Sequence, residues 1–275
     1  MRLTRLMRLA LSVALGTAAL FAADSFAFVP VPKAVVEERV QAYSTKPSER
    51  RDGLRRLFEA AGCVPPSLTE QAVKYERLGN VICTLSGLTD SKIVVGAHYD
   101  HHRGGAGVID NWSGASLLAS LYQSLAGRPR KHTILFIGFT AEEVGLRGSG
   151  FFVRTLTKDE RANFRAVVNL DSLGLSSTKV WASRSDAELA RALYAVAETM
   201  GLPVAGVNME QVGSGDGQSF RLRKIPIIDI HSVTQQTLRI LHSPQDGLPA
   251  IRSDDYYDTY RLIAGYLAYL DLKLE

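Results

Sequence analysis

Two adjacent glutamates, Glu142 and Glu143, stand where the apolar run of residues 134–139 gives way to the glycine-rich stretch 145–150. A short, nearly continuous apolar run suits a strand buried on both faces. The loop just past the carboxyl end of such a strand is where open α/β sheets gather ligands. In irregular backbone two neighbouring side chains point at different targets, so one carboxylate can hold a metal while the other moves a proton. An acidic pair by itself usually only solvates a surface loop. The rest of the donor set changes that reading: His98, Asp110, Asp171 and His242 also fall at the mouths of candidate strands or in the loops after them. Imidazole and carboxylate donors without thiolate are the ligands of catalytic zinc, which keeps a position open for water. Together with Glu143 these residues exceed what one ion uses. If one carboxylate bridges, two ions about 3.5–4 Å apart can activate water and polarise a carbonyl together. Glu142 is then free to act as general base.

The elements that must position these residues alternate in type. Residues 81–85, 92–97, 165–170 and 225–230 join the run at 134–139 as expected strands; the second leads straight into His98 and the third delivers Asp171. Amphipathic helices are expected over 34–43 and 48–61, with Ser48 as a cap for the second and Gly62 as its stop. A further helix carries Leu117, Leu118 and Leu121 to about Leu125, before Gly127 and Pro129. Shorter or longer helices follow over 148–156, 186–200 and 253–272. Strands alternating with helices imply crossover connections. The expected fold is therefore a single α/β domain, with a mostly parallel mixed sheet flanked by helices on both faces.

The chain has 275 residues, of which 46% are hydrophobic, enough to bury a sizeable core. Residues 1–27 differ from the rest: Arg2, Arg5 and Arg8 precede an apolar and small-residue run from Leu9 to Ala23. This is the layout of a secretory signal peptide, with cleavage expected after Ala27, and the run is shorter than the ~20 residues of a membrane-spanning helix. The mature domain is thus expected to span 28–275, secreted or periplasmic, with no stable membrane association. Cleavage removes three arginines and one aspartate, lowering the formal charge from +4 to +2. No Lys/Arg-dense stripe with interleaved aromatics remains, which argues against a nucleic-acid partner. Cys63 and Cys83 either form one disulfide in an oxidising compartment or stay as two buried thiols.

Five stretches together carry a resemblance. They are His98-Tyr99-Asp100, Ile109-Asp110-Asn111-Trp112-Ser113-Gly114, Ala141-Glu142-Glu143-Val144-Gly145-Leu146-Arg147-Gly148-Ser149, Asn169-Leu170-Asp171 and Leu241-His242-Ser243. In that order they resemble the co-catalytic di-zinc aminopeptidases, a secreted metallopeptidase family that also includes the animal glutaminyl cyclases. The likeness runs from about Val81 to the C-terminus. It implies two Zn2+ per chain, with His98 and Asp171 on one, Glu143 and His242 on the other, and Asp110 bridging. It also implies Glu142 as general base, Asp100 accepting the ring proton of His98, a cis bond between Asp110 and Asn111, and peptides with a free N-terminus as substrates.

The sequence departs from the family in three places. Asp216 is followed by Gly217 where relatives commonly have histidine. Leu241 stands where some have tyrosine, and His101 and His102 follow Asp100 where a small polar residue is usual. His101 and His102 read as exposed loop residues, the alternative being that they line the entrance or bind a stray ion; His132 and His231 read as structural, and Trp112 and Trp181 as packing residues rather than substrate platforms, Trp112 being the one close to the bridging site. The resemblance leaves two other readings: a glutaminyl cyclase needing one zinc, and a non-catalytic domain that kept the fold. The second would usually have lost a ligand or the base, and here all are present.

Overall fold

The computed structural model describes residues 27–209 and 213–275; apart from Ala27, the expected signal peptide lies outside them. Eight strands form one mixed sheet: β1 (Leu68–Gln71), β2 (Asn80–Leu85), β3 (Lys92–His98), β4 (Thr133–Phe139), β5 (Phe164–Leu170), β6 (Thr178–Val180), β7 (Val204–Gly206) and β8 (Ile227–His231). Their order is β1-β2-β4-β3-β5-β8-β6-β7. The centre, β4-β3-β5-β8, is parallel, and β2 joins it antiparallel through β4. Consecutive β2 and β3 are therefore not neighbours, although a turn connects them in sequence. At the far edge β6 runs antiparallel to β8 and carries the three-residue β7.

The parallel strands are mostly apolar because helices cover both faces. Ile93, Val95, Ala97, Phe136, Ala166 and Val168 face one core with α1 (Lys33–Gln41), α2 (Pro47–Ala60), α3 (Ser113–Ala126), α6 (Ala187–Met200) and α8 (Ser253–Lys273). Val94, Ile137, Phe139 and Val167 face a second, built with Phe152 of α4 (Arg147–Thr155) and Phe220 of α7 (Gly217–Arg221). A one-turn α5 (Lys158–Ala162) precedes β5. Gly201 ends α6 in the left-handed conformation, as its position after the helix predicts. Ser48 does not cap α2. The helix begins one residue earlier, with Pro47 in its first turn after Lys46, where a missing N–H costs nothing.

Cys63 and Cys83 form a disulfide, which resolves the two alternatives and ties the segment after α2 to β2. Closing a loop of this size contributes about 3 kcal/mol. Among the described residues no helix is long and apolar enough to cross a membrane.

Candidate metal centre

The centre lies at the carboxyl rim of the parallel strands, and each side chain arrives by a different local device. His98 is the last residue of β3, level with Phe139 of β4. Glu142 and Glu143 follow β4 across Ala141, whose φ of 55° turns the chain sharply at the strand's end. Asp171 follows β5 and is itself followed by Ser172 at φ 56°. Asp110 sits in a buried irregular turn just before α3, and its bond to Asn111 is cis. His242 comes from the long segment between β8 and α8, again with a positive φ, 56°. Left-handed non-glycine residues are uncommon and gather where surroundings impose them. Ala141, Ser172 and His242 all border this one centre.

The side chains converge. Asp110 presents one carboxylate oxygen to each imidazole: Oδ1 is 3.1 Å from Nε2 of His98, and Oδ2 is 3.1 Å from Nε2 of His242. Glu143 Oε2 lies 3.2 Å from the same nitrogen of His242. On the other side Asp171 Oδ1 is 3.8 Å, and Glu142 Oε2 3.9 Å, from Nε2 of His98. All five expected donors and Glu142 are thus brought together.

The expected role of Asp100 is only partly matched. Its carboxylate is 3.5 Å from Nδ1 of His98, while its backbone carbonyl is closer, at 3.2 Å. The carboxylate oxygens instead accept the backbone N–H groups of Glu142 (3.1 Å) and Glu143 (3.2 Å). Asp100 therefore locks the exit of β4 to the exit of β3.

Other pins were not foreseen from the sequence. Asn111 donates to the carbonyl of Leu170 (2.8 Å) and accepts from Ser172 N (3.3 Å) and Gly114 N (3.0 Å), tying the Asp110 turn to the end of β5. Asp246 accepts from Ile109 N (2.7 Å) and Asp110 N (3.4 Å), tying that turn to the segment that carries His242. Asn80 holds Thr140 N (3.1 Å) and the carbonyl of Gly148 (3.0 Å) beneath the glutamates. Arg50, fully buried, donates to the carbonyls of Tyr99, Ser44, Ala106 and Gly107. Only its helical spacing, on one face with Leu54 and Phe58, could have hinted at burial, and nothing in sequence pointed to its partners.

The electrostatics are those of a crowd of acids. Burial, together with the charges of Asp216, Asp171 and Asp110, pushes the Glu142 carboxyl well above its usual range, against the pull of His98. Burial and Asp110 do the same to Glu143. Burial works to raise Asp110 as well, but the hydrogen bonds from His242 and His98 hold it well below the ordinary range. The hydrogen bond to Asp110 raises His242, with Glu143 adding to it. Both oxygens of buried Asp216 and one of Glu143 have no hydrogen-bond partner.

These residues fit zinc. Ligands ~2.0–2.1 Å from a tetrahedral ion lie roughly 3.3 Å from one another, and the spacings of 3.1 to 3.8 Å around each imidazole bracket that value. His98, Asp110 and Asp171 form one donor group, and Asp110, Glu143 and His242 another. The unpartnered oxygen of Glu143 and the excess of carboxylates both suit a cation.

An open cavity of about 430 Å³ lies over the centre, walled by Glu142, Leu146, Trp181, Gln218 and His242. Trp181 was expected to be a packing residue; though largely buried, it forms part of this wall and stacks under Arg184 (3.6 Å). Trp112 is a packing residue as expected, fully buried with its indole N–H on the carbonyl of Arg39. His132 and His231 are buried and bonded to carbonyls of Leu274 and Val207. At Gly217 the Asp229 carboxylate fills the space a side chain would need; a Cβ there would overlap Oδ1. His102 is an exposed loop residue as expected, and its ring also stacks on that of His242, whereas His101, expected to be exposed, is half-buried.

A mixed sheet with helices on both faces and a histidine-carboxylate centre at its carboxyl rim defines a zinc-peptidase-like α/β protein. The pattern of peptidase family M28 matches residues 80–267, and the chain belongs to that family. It is 30% identical to the leupeptin-inactivating enzyme 1 of Streptomyces exfoliatus over 154 residues, 55% of this chain and 35% of that protein. The chain spans about a third of the length of the curated relatives it matches. Its fold is similar to that of the LapA aminopeptidase of Legionella pneumophila, with a TM-score of 0.77 at 20% identity, covering 89% of this chain and 73% of that one. It is also similar to the Bacteroides thetaiotaomicron glutaminyl cyclase, with a TM-score of 0.70 at 18% identity, covering 86% of this chain and 96% of that one.

Proposed function

We propose that this chain is a secreted or periplasmic zinc-dependent aminopeptidase that hydrolyses the first peptide bond of substrates with a free N-terminus. The observation that carries the reading is Asp110, whose two oxygens each lie 3.1 Å from a different imidazole nitrogen. His98 and Asp171 would hold one zinc, Glu143 and His242 the other, and Asp110 both. Bound there, zinc supplies a water that loses its proton near neutral pH and a Lewis acid for the scissile carbonyl.

The chain's own part is proton handling and placement. Glu142 borders the cavity and is held through its backbone by Asp100. Its carboxylate takes the proton of the attacking water and returns it to the leaving amine, so the two products leave with the water's atoms divided between them. Leu241 offers no hydroxyl beside His242, so no tyrosine from that position shares in polarising the carbonyl.

Release of chromophore from aminoacyl anilides tests the activity: it should be lost on chelation and restored by zinc. Glu142→Gln should keep its zinc and lower turnover by about 10²–10⁴, the span of general-base loss. Turnover at the parent rate would remove Glu142 from that role, and inactivity of the parent across a panel of anilides would count against the aminopeptidase reading. Export and cleavage are tested by the mass of the exported protein, which should begin at Phe28.

A glutaminyl cyclase is the second reading. The match covers 96% of the cyclase chain but 73% of LapA, and Asp110, Glu143 and His242 alone could hold the single zinc such an enzyme needs. Close to one zinc per chain, with ring closure of glutaminyl peptides and release of ammonia, would decide for it. Two zincs with anilide hydrolysis would decide against it.

A further inference from the structure

His242 is held unlike a usual histidine ligand. Metal-ligating imidazoles normally give their second nitrogen to a carboxylate or carbonyl, which fixes the ring. His98 does so, with Nδ1 3.2 Å from the carbonyl of Asp100. His242 is 49% exposed, and among the described residues its Nδ1 has no hydrogen-bond partner. What lies against its ring is His102: the centroids are 4.4 Å apart and the planes inclined by 22°. His102 is in turn fixed by the loop after β3. Gly104 N donates to its Nδ1 at 3.1 Å, so the neutral ring carries its proton on Nε2. The same loop presses on the backbone of His242, since a Cβ on Gly104 would overlap the His242 carbonyl and one on Gly105 the carbonyl of Ser243.

We infer that His102 is a positioning residue: its stacked ring sets the orientation of His242 and so the affinity of the zinc that Glu143 and His242 share. The inference rests on reading His242 as a ligand. Offset-stacked rings resist rotation and tilt, and this pair supplies the constraint that a hydrogen bond supplies at His98. The stack needs a flat ring, not an imidazole. A phenylalanine keeps the face, and alanine removes it.

Zinc affinity, measured by competition with a chromogenic chelator, separates the cases without reference to turnover. His102→Ala should weaken one of the bound ions about tenfold, the low end of what a ligand's supporting partner is worth. His102→Phe should stay within about threefold of the parent, because the ring face is preserved. Circular dichroism of both variants should match the parent, since His102 is exposed. Parent-like affinity in His102→Ala overturns the inference, and so does an equal loss in His102→Phe, which would assign the effect to the Gly104 hydrogen bond. His242→Ala tells the two levels apart. If it keeps the parent's zinc count, the ligand assignment fails; if it loses an ion while His102→Ala keeps the parent's affinity, only the stack fails.

Discussion

The two imidazoles of the centre are supported in opposite ways. His98 ends the central strand of the sheet, is 2% exposed, and is flanked by the carbonyl of Asp100 and the carboxylate of Asp110. His242 lies 49% exposed in the strandless segment between β8 and α8, in left-handed backbone, against a glycine loop and a second imidazole. Strand geometry delivers the first; only packing between loops delivers the second. A side chain on a paired strand inherits the rigidity of the sheet, whereas one on a loop must be over-determined by neighbours. Asp110 reaches across to both, and Asn111 and Asp246 fasten its turn to each side in turn.

The largest effect comes from breaking that link. Asp110→Ala should reduce bound zinc from the two ions per chain proposed above towards none, because each half loses a ligand and each imidazole its nearest carboxylate. Metal analysis of the dialysed protein checks this. Retention of one full equivalent would show that one half, expected to be that of His98, stands alone and that the bridge is misassigned.

The same contrast explains what could be read in advance. The central strands were legible because burial on both faces leaves a continuous apolar run, and the donors were legible because they stand at the ends of those runs or inside motifs with family wording. β1, β6 and β7, of three or four residues each, carry no such run and were not foreseen. Nor was the order of strands: β2 is followed in sequence by β3 yet pairs with β4, and long-range pairing leaves no mark on local composition. The supports of the centre were hidden for the same reason. Asp246 looks like any loop aspartate until it is found receiving Ile109 N, and His102 looks like a solvated loop residue until its partner, 140 positions away in the chain, is in place.

Arg50 is the sharper probe of the buried half. Its guanidinium joins the carbonyl of Tyr99, next to His98, to those of Ala106 and Gly107, where the loop returns toward Asp110. Burial lowers its pKa to about 10, against the pull of Asp100, Asp246, Asp110 and Glu143, so it remains charged at neutral pH. Arg50→Met keeps the length of the side chain but strands these buried acceptors, and should cost about 3 kcal/mol in urea unfolding, from several acceptors at about 1 kcal/mol or more each. An unchanged midpoint would mean that the loop root is held by its backbone alone.

The smallest change should fall on the exposed half only. Gly104→Ala adds one carbon where the loop meets the His242 carbonyl, which is backbone and cannot swing aside, and brings that carbon against Nδ1 of His102 as well. Relief must come from shifting the loop, the backbone of His242, or both, at a cost of about 1–3 kcal/mol, the range for overpacking. Gly127→Ala is the control: nothing lies within 4 Å of a Cβ there, at the C-terminus of α3. Gly104→Ala should weaken one ion and spare the other, as titration of apo protein with zinc would reveal by two separated steps. Equal weakening of both ions would mean that the glycine loop grips the whole centre through Gly107 and Asp110, and the contrast between a strand-borne and a loop-borne imidazole would then describe their surroundings without governing their hold on metal.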